Sequence, residues 1–158
     1  MKKIILTILL IIPLIGSSQC IGDCENGVGT VLWDNGDVTW GTWKNGKENG
    51  LVQEILFMDG KLYGMYSGKK EMGVKVDYGM ETIFDDDQVY MGLYEGSHNK
   101  NGDYDGWGTY TLHDEEGYIG TYVGEYKDGQ EHGWGTFIYS DGVVEMGTWK
   151  NGKFIKED

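Results

Sequence analysis

The sequence predicts an all-β protein, an elongated and twisted antiparallel sheet of consecutive β-hairpins. The prediction rests on the composition, on a short glycine–aromatic motif that recurs along the chain, and on the turn dipeptides between its copies. Glycine occurs 27 times in 158 residues, roughly twice the usual frequency, and alanine is absent. Because alanine is the best helix former and glycine one of the worst, long helices are disfavoured, whereas the 6 Trp and 11 Tyr suit strands.

The chain begins with the features of an export signal. Met1-Lys2-Lys3 is cationic, residues 4–15 are apolar and residues 16–18 are small, which is the order of a signal peptide and its cleavage site. The apolar run is too short to cross a bilayer as a helix, since about 20 residues are needed. We therefore expect residues 1–18 to be a signal peptide and the mature protein to be periplasmic or extracellular.

Two cysteines follow in an N-terminal segment, residues 19–26. In an oxidising compartment Cys20 and Cys24 have only each other as intramolecular partners, so they are disulfide candidates. Lipid attachment at Cys20 is the alternative, but Gln19 fits poorly where such a site requires a small residue. No histidine cluster flanks the pair, and a zinc site is not predicted.

Residues 27–158 repeat one pattern, in which glycine and an aromatic residue recur together. These structural repeat positions are Gly41 and Trp43, Gly64 and Tyr66, Gly92 and Tyr94, Gly124 and Tyr126, and Gly147 and Trp149. Turn dipeptides such as Asn35-Gly36 lie within the units, and Asn-Gly takes the positive φ angles of two-residue hairpin turns. Each of the five to six units is thus expected to be a hairpin, the first with strands at 29–33 and 38–43.

A lone hairpin is marginally stable in water, so the units are expected to pair side by side and to bury their aromatic side chains against the next unit. The spacing of the motif is longest in the middle of the chain. We therefore expect insertions around residues 77–105, at 78–87 and 97–105.

This pattern resembles the MORN repeat, commonly written Y-x-G-x-W-x-x-G-K-x-x-G-x-G. Residues 122–142 are a close match and residues 147–153 a truncated last copy. The resemblance implies an elongated sheet of hairpins that serves as a scaffold, in protein interaction or in membrane-lipid association, and it implies no enzymatic activity. Departures from the motif occur at Thr39, Leu62 and Glu145, where the first aromatic is lost, and at Val52, where a glycine is lost.

The charge limits the possible partners. A formal net charge of -13 lacks the basic footprint that nucleic acid requires, so no nucleic acid is expected. Binding to anionic membranes is disfavoured for the same reason. We expect an unknown protein partner, with a glycan as the alternative ligand.

The candidate binding residues are aromatic. The in-phase aromatics are expected to pack the sheet, whereas three tryptophans next to glycines are candidates for an exposed binding face: Trp40, Trp107 and Trp134. Exposed rings of this kind stack on sugars or grip apolar side chains of a protein.

No catalytic or cofactor site is predicted. No serine or cysteine is placed as a nucleophile beside a histidine, and we expect no enzyme, no cofactor and no metal centre. Two acidic stretches, Asp85-Asp86-Asp87 and the pair Asp103 and Asp105, are favoured as solvated turns, with weak divalent-cation binding as the alternative. The histidines are His98, His113 and His132, and His132 is expected to have a structural role.

Overall fold

The computed structural model describes residues 18–155 as one open sheet of twelve antiparallel strands that neighbour each other in chain order. The strands are β1 Gln19–Gly22, β2 Val28–Leu32, β3 Val38–Lys44, β4 Lys47–Met58, β5 Lys61–Glu71, β6 Val74–Phe84, β7 Tyr90–His98, β8 Tyr104–Asp114, β9 Gly117–Lys127, β10 Gln130–Tyr139, β11 Val144–Lys150 and β12 Lys153–Ile155. The all-β prediction of consecutive hairpins is confirmed. Apart from Ser18, the predicted signal peptide lies outside the described residues, as do residues 156–158. The strands and turns of residues 18–155 include no helix that could cross a membrane.

The expected two-residue turns are present, but at one end of the sheet more than at the other. Asn45-Gly46, Asp128-Gly129 and Asn151-Gly152 each have both residues at positive φ, as the tight hairpin turn requires. They close the β3–β4, β9–β10 and β11–β12 hairpins.

The turn at Asn35-Gly36 differs from the prediction. The Trp33 amide donates to the Asp37 carbonyl, and the Gly36 amide donates to the Trp33 carbonyl. Only Gly36 has a positive φ, of 96°, so the loop is a type I turn followed by a glycine bulge. The Asn35 carboxamide oxygen stabilises this longer loop by accepting from the Asp37 amide at 3.2 Å.

The expected insertions around residues 77–105 are mostly regular strand. β6 and β7 run through this segment and pair from Asp77 with His98 to Phe84 with Tyr90. Irregular backbone is confined to the connections at residues 85–89 and 99–103. Longer strands account for part of the longer motif spacing, because β5, β6 and β8 have 11 residues whereas β3 has 7. The rest arises because Gly64 and Gly92 do not occupy the same repeat position as Gly41 and Gly124.

A row of glycines crosses the sheet and explains its repeat. The residues paired in succession are Gly29, Gly41, Val52, Gly68, Gly79, Gly96, Gly108, Gly124, Gly135 and Gly147. We call this line the glycine row and the side of the sheet that it faces the inner face. The opposite side is the outer face. Because side chains alternate along a strand, the residues directly before and after each row member lie on the outer face.

Three tyrosines of the inner face lie over the glycine row. Tyr66, Tyr94 and Tyr122 are almost fully buried, and each hydroxyl donates to the carbonyl three residues on, at 2.9, 2.8 and 3.1 Å. A Cβ atom added at Gly79 or Gly108 would lie 2.7 Å from the ring of Tyr66 or Tyr94 respectively. The glycines are thus required because a ring occupies the space that their side chains would fill.

The same contacts correct the predicted repeat phase in two units. Tyr66 and Tyr94 are equivalent to Tyr122 and not to Tyr126, because they share its hydrogen bond and its glycine neighbours. Gly64 and Gly92 therefore lie outside the glycine row. The motif was misleading because Gly-x-aromatic occurs at two places in one unit, as Gly120-x-Tyr122 and as Gly124-x-Tyr126.

In the first unit, a threonine and a valine fill the volume that a tyrosine and a glycine fill in the other units. Thr39 stands where the other units have tyrosine, and Val52 stands in the glycine row beside it. Trp33 donates from its indole nitrogen to the Thr39 hydroxyl at 2.8 Å. Thr39 and Val52 are 1% and 2% exposed, so the small residue and the added side chain fill the volume together, as close packing requires.

Candidate functional site

The three candidate tryptophans lie on the outer face. Trp40, Trp107 and Trp134 directly precede Gly41, Gly108 and Gly135 of the glycine row, and they are 51%, 60% and 46% exposed. All five in-phase aromatics lie on the inner face instead and are buried there, as expected: Trp43, Tyr66, Tyr94, Tyr126 and Trp149. The alternation between the two faces separates rings that pack the sheet from rings that remain open.

The structure brings two of these tryptophans together. Trp107 on β8 pairs with Glu125 on β9, and the Trp134 amide on β10 donates to the Glu125 carboxylate at 3.1 Å. Trp107 and Trp134 are thus about 10 Å apart across two strand spacings. Trp40 lies on β3, about 24 Å from Trp107 by the same spacing, and is not part of this group.

Apolar side chains surround the Trp107–Trp134 pair. Val123 pairs with Thr136 and Thr136 with Met146, and Val123 and Met146 are 42% and 62% exposed. We define Trp107, Val123, Trp134 and Met146 as the tryptophan patch. The Glu125 carboxylate lies between Trp107 and Trp134, so the patch offers apolar area with one carboxylate acceptor in its middle.

A second outer-face feature was not found from the sequence. One row of paired residues contains no charged side chain from β2 to β11: Leu32, Val38, Ile55, Met65, Thr82, Leu93, Thr111, Thr121, Ile138 and Val144. We call it the aliphatic row. Its members come from ten strands and are far apart in the chain, so only the strand register shows that they form a line.

The inner face contains a buried ion pair in its middle. Lys70 Nζ lies 2.7 Å from Glu54 Oε1, with side-chain exposures of 10% and 7%. The Thr39 hydroxyl donates to the same carboxylate oxygen at 3.4 Å. Lys70 lies two residues after Gly68, just as Trp43 lies two residues after Gly41 and Trp149 two residues after Gly147. A cation thus occupies the position at which those units have an aromatic ring.

A second ion pair lies beside it. Lys75 pairs with Glu81, whose other oxygen accepts from the Tyr104 hydroxyl at 2.8 Å. Burial lowers the pKa of Lys75, although Glu54 opposes that shift, and the ammonium lies 4.9 Å from the centre of the Tyr66 ring. Burial, with a smaller contribution from Glu54, raises the pKa of Tyr66 to about 12. These groups satisfy one another, which gives them a structural role.

Two of the histidines, His98 and His113, pack against aromatic rings. His98 packs edge-on against Tyr66, Tyr94 and Tyr104, its Nδ1 lies 3.3 Å from the Asp77 carbonyl, and its Nε2 has no hydrogen-bond partner. Burial lowers the pKa of His98. His113 lies between the rings of Tyr90 and Tyr118.

His132 lies on β10. Among residues 18–155, no three His, Cys, Asp or Glu side chains are grouped so that they could hold a metal ion.

The remaining predicted residues lie at the ends of the strands. Asp85 Oδ1 accepts from the amides of Asp87 and Val89, both at 2.9 Å, and so shapes the β6–β7 loop. Asp105 accepts from the Asp128 amide at 3.4 Å. Cys20 and Cys24 form a disulfide that joins β1 to the following loop.

Two segments of the chain, residues 41–51 and 122–144, match the family model of the MORN repeat. The chain carries MORN repeats. The second segment covers most of β9, all of β10 and the start of β11, and contains the Tyr122 ring over Gly124 and Gly135. No curated protein matches the chain. The same MORN contact recurs outside the matched segments, at Tyr66 and Tyr94.

Proposed function

We propose that this chain is an exported, non-enzymatic MORN-repeat scaffold that binds a protein through the tryptophan patch. MORN repeats are generally non-enzymatic scaffolds, commonly engaged in protein or membrane interaction. The observation that carries the proposal is the exposure of Trp107 and Trp134, at 60% and 46%, two strands apart on the same face of an open sheet. Tryptophan is enriched among the residues that dominate binding energy in protein interfaces.

The distribution of aromatic rings supports an outer-face site. The inner face fills its own volume, since Tyr66, Tyr94 and Tyr122 are at most 2% exposed. Large apolar patches on soluble proteins mark interaction sites, and the sheet has no second layer over its outer face among residues 18–155. The tryptophan patch therefore provides apolar area that folding leaves open.

Export is supported by two independent features. The cationic start and the apolar run at residues 4–15 have the organisation of a signal peptide. The disulfide between Cys20 and Cys24 belongs to an oxidising compartment, and it leaves Cys20 without the free thiol that lipid attachment requires. The proposed location is periplasmic or extracellular.

The test is capture of partners by the mature chain from native envelope and medium, followed by titration of each purified partner. We expect the double variant Trp107→Thr and Trp134→Thr to lose a saturable partner. A matched double variant, Val28→Thr and Leu51→Thr, removes outer-face side chains that are 56% and 72% exposed but lie outside the patch, and it should retain the partner. Equal binding by both variants contradicts the proposal.

A glycan is the alternative ligand that the same patch favours. Trp107 and Trp134 flank the Glu125 carboxylate, and aromatic rings beside a hydrogen-bond acceptor suit a sugar. In that case tryptophan fluorescence shifts when cell-wall or environmental glycans are added, and the shift is absent in the Trp107→Thr and Trp134→Thr variant. An unchanged spectrum across a broad glycan panel removes this alternative.

A further inference from the structure

The two ends of the sheet differ in charge. We define the acidic end by the connections β2–β3, β4–β5, β6–β7, β8–β9 and β10–β11, and the lysine end by the others. Acidic side chains occur at every connection of the acidic end: Asp34, Asp37, Asp59, Asp85, Asp86, Asp87, Asp114, Glu115, Glu116 and Asp141. Among residues 18–155, Lys61 is the only lysine at the acidic end. Its ammonium donates to the Asp86 carbonyl.

The lysine end has a balanced composition. It holds the other lysines of residues 18–155, namely Lys44, Lys47, Lys69, Lys70, Lys75, Lys100, Lys127, Lys150 and Lys153. Acidic side chains such as Glu71 and Asp77 lie among them and pair with Lys69 at 3.3 and 2.6 Å. The net negative charge of the two ends is therefore concentrated at the acidic end, along one border of the sheet.

The aliphatic row lies next to that border. It is the last row of pairs on the outer face that continues from β2 to β11 before the acidic end is reached. Ile55, Met65, Ile138 and Val144 are 41%, 40%, 44% and 52% exposed. An uncharged strip, in which seven of the ten side chains are apolar and three are threonine, thus runs beside a line of acidic loops over ten strands, which is about 45 Å at the usual strand spacing.

We infer that the aliphatic row and the acidic end together bind a basic amphipathic helix of a partner protein. This inference deepens the proposed function and depends on the chain being a protein-binding scaffold. Apolar side chains of the helix would cover the aliphatic row, and its lysine or arginine side chains would face the acidic loops. Loops on the same border are separated by two strands, about 10 Å, which is close to two turns of a helix, about 11 Å.

Charge decides between this occupant and two others. A second copy of the chain brings a formal net charge of -13 to a surface that is already acidic, so association of two copies is opposed by repulsion. An anionic membrane is repelled in the same way. A cationic helix is attracted. Because the screening length at physiological salt is about 8 Å, each acidic loop attracts mainly the cationic side chains next to it.

The experiment uses the mature chain and a synthetic helical probe of about 28 residues, long enough to cross most of the row. The probe has leucine on one face and lysine along its border, and a second probe has glutamate in place of each lysine. Binding is measured by fluorescence anisotropy at low and at physiological salt. We expect saturable binding of the lysine probe, weakened as salt rises, and no binding of the glutamate probe.

Matched variants locate the contact. Asp34→Asn, Asp59→Asn, Asp87→Asn and Glu115→Gln together remove four charges from the acidic end, at side chains that make no hydrogen bond needed by their loops. The control, Glu25→Gln, Glu71→Gln, Asp105→Asn and Asp128→Asn, removes four charges from the lysine end. We expect the first set to weaken binding at least about tenfold and the second less than about threefold, since rim charges act through local complementarity.

A second pair of variants tests the apolar contact. Ile55→Thr, Met65→Thr and Ile138→Thr alter the aliphatic row with a residue that the row already contains, and Val28→Thr, Leu51→Thr and Ile155→Thr are the control elsewhere on the outer face. Only the first set should weaken the lysine probe. Circular dichroism and thermal unfolding confirm that each variant is folded before binding is measured.

Three results overturn the inference: equal effects of the acidic-end and lysine-end variants, equal binding of both probes, or self-association or vesicle binding that the aliphatic-row variants abolish. The last would assign the surface to a second copy or to a lipid. None of these substitutions alters Trp107 or Trp134. If the lysine probe does not bind as expected but the tryptophan patch still captures a partner, this inference is rejected and the proposed function is not.

Discussion

The contact between a buried tyrosine and the glycine row predicts a large effect from a single methyl group. In Gly135→Ala, the new Cβ would lie 2.1 Å from the Tyr122 hydroxyl and 2.4 Å from the adjacent ring carbon. Gly135 has no positive φ, so the substitution introduces no backbone strain. Its effect comes from overlap with the ring.

The ring has little freedom to move away. Tyr122 is 1% exposed, packs edge-on against Tyr126 and Trp149 with centroids 5.2 and 5.1 Å away, and donates to the Glu125 carbonyl. Overpacking costs about 1–3 kcal/mol, and loss of the hydroxyl hydrogen bond adds about 1 kcal/mol. Reduced entropy of the unfolded chain offsets about 0.4–1 kcal/mol. We expect a net destabilisation of about 1–4 kcal/mol.

The assay is denaturant unfolding followed by tryptophan fluorescence and circular dichroism. Thr136→Val, which alters the outer face at the next residue of the same strand, should change the free energy of unfolding by less than about 0.5 kcal/mol. A change of the same small size in Gly135→Ala would refute the packing argument. The double variant Tyr122→Thr and Gly135→Val reproduces the Thr39–Val52 arrangement and should be more stable than Gly135→Val alone.

Three further perturbations test the inner face and the N-terminus. Lys70→Met leaves the buried Glu54 carboxylate unpaired and should lower the free energy of unfolding by about 3–5 kcal/mol. Burial holds the pKa of His98 below its value in the unfolded chain. The free energy of unfolding should therefore fall as the pH drops below about 6.5, because the unfolded chain then binds the proton more readily. Denaturant midpoints measured from pH 8 to pH 5 test this. The Cys20–Cys24 disulfide closes only a short loop. Its reduction should therefore increase amide exchange in β1 with little change in the global free energy of unfolding.

Each of these predictions has its own control. Glu54→Leu combined with Lys70→Met should recover most of the loss, because an apolar pair replaces a buried ion pair at little cost; a double variant as unstable as Lys70→Met contradicts the assignment. His98→Phe should remove the acid sensitivity, and an unchanged pH profile would show that another group causes it. If reduction lowers the midpoint of the whole sheet, β1 is more important to the fold than its pairing with β2 implies.

The hairpins were predictable because their signals are local. Two adjacent residues decide a tight turn, and Asp128-Gly129 and Asn151-Gly152 adopt the geometry that their dipeptides favour. Alternation along a strand is local as well, so the outer-face position of Trp107 follows from its place between glycines 106 and 108. These parts of the fold depend on neighbours in the chain.

The phase of the repeat and the aliphatic row depend on register and were not predictable in the same way. Bulges shift the pairing in several hairpins, for example by one residue between Leu56 and Phe57, and a shift by one residue exchanges the faces. Lys70 and His98 concealed the phase further, because neither is the aromatic residue that the motif requires at that position. Only the hydroxyl contacts of Tyr66 and Tyr94 identify the equivalent positions.

The packing of the inner face also determines where binding can occur. Each ring that covers two glycines brings neighbouring backbones together without side chains between them, so the inner face becomes filled by few residues: Tyr66, Tyr94 and Tyr122. A single sheet cannot bury both of its faces in this way, because no second layer exists among residues 18–155. The outer face therefore keeps many apolar side chains in contact with water, next to the acidic loops at its border. The rings and glycines that fill the inner face and the exposed apolar side chains of the outer face are thus two consequences of building a protein from one layer of hairpins.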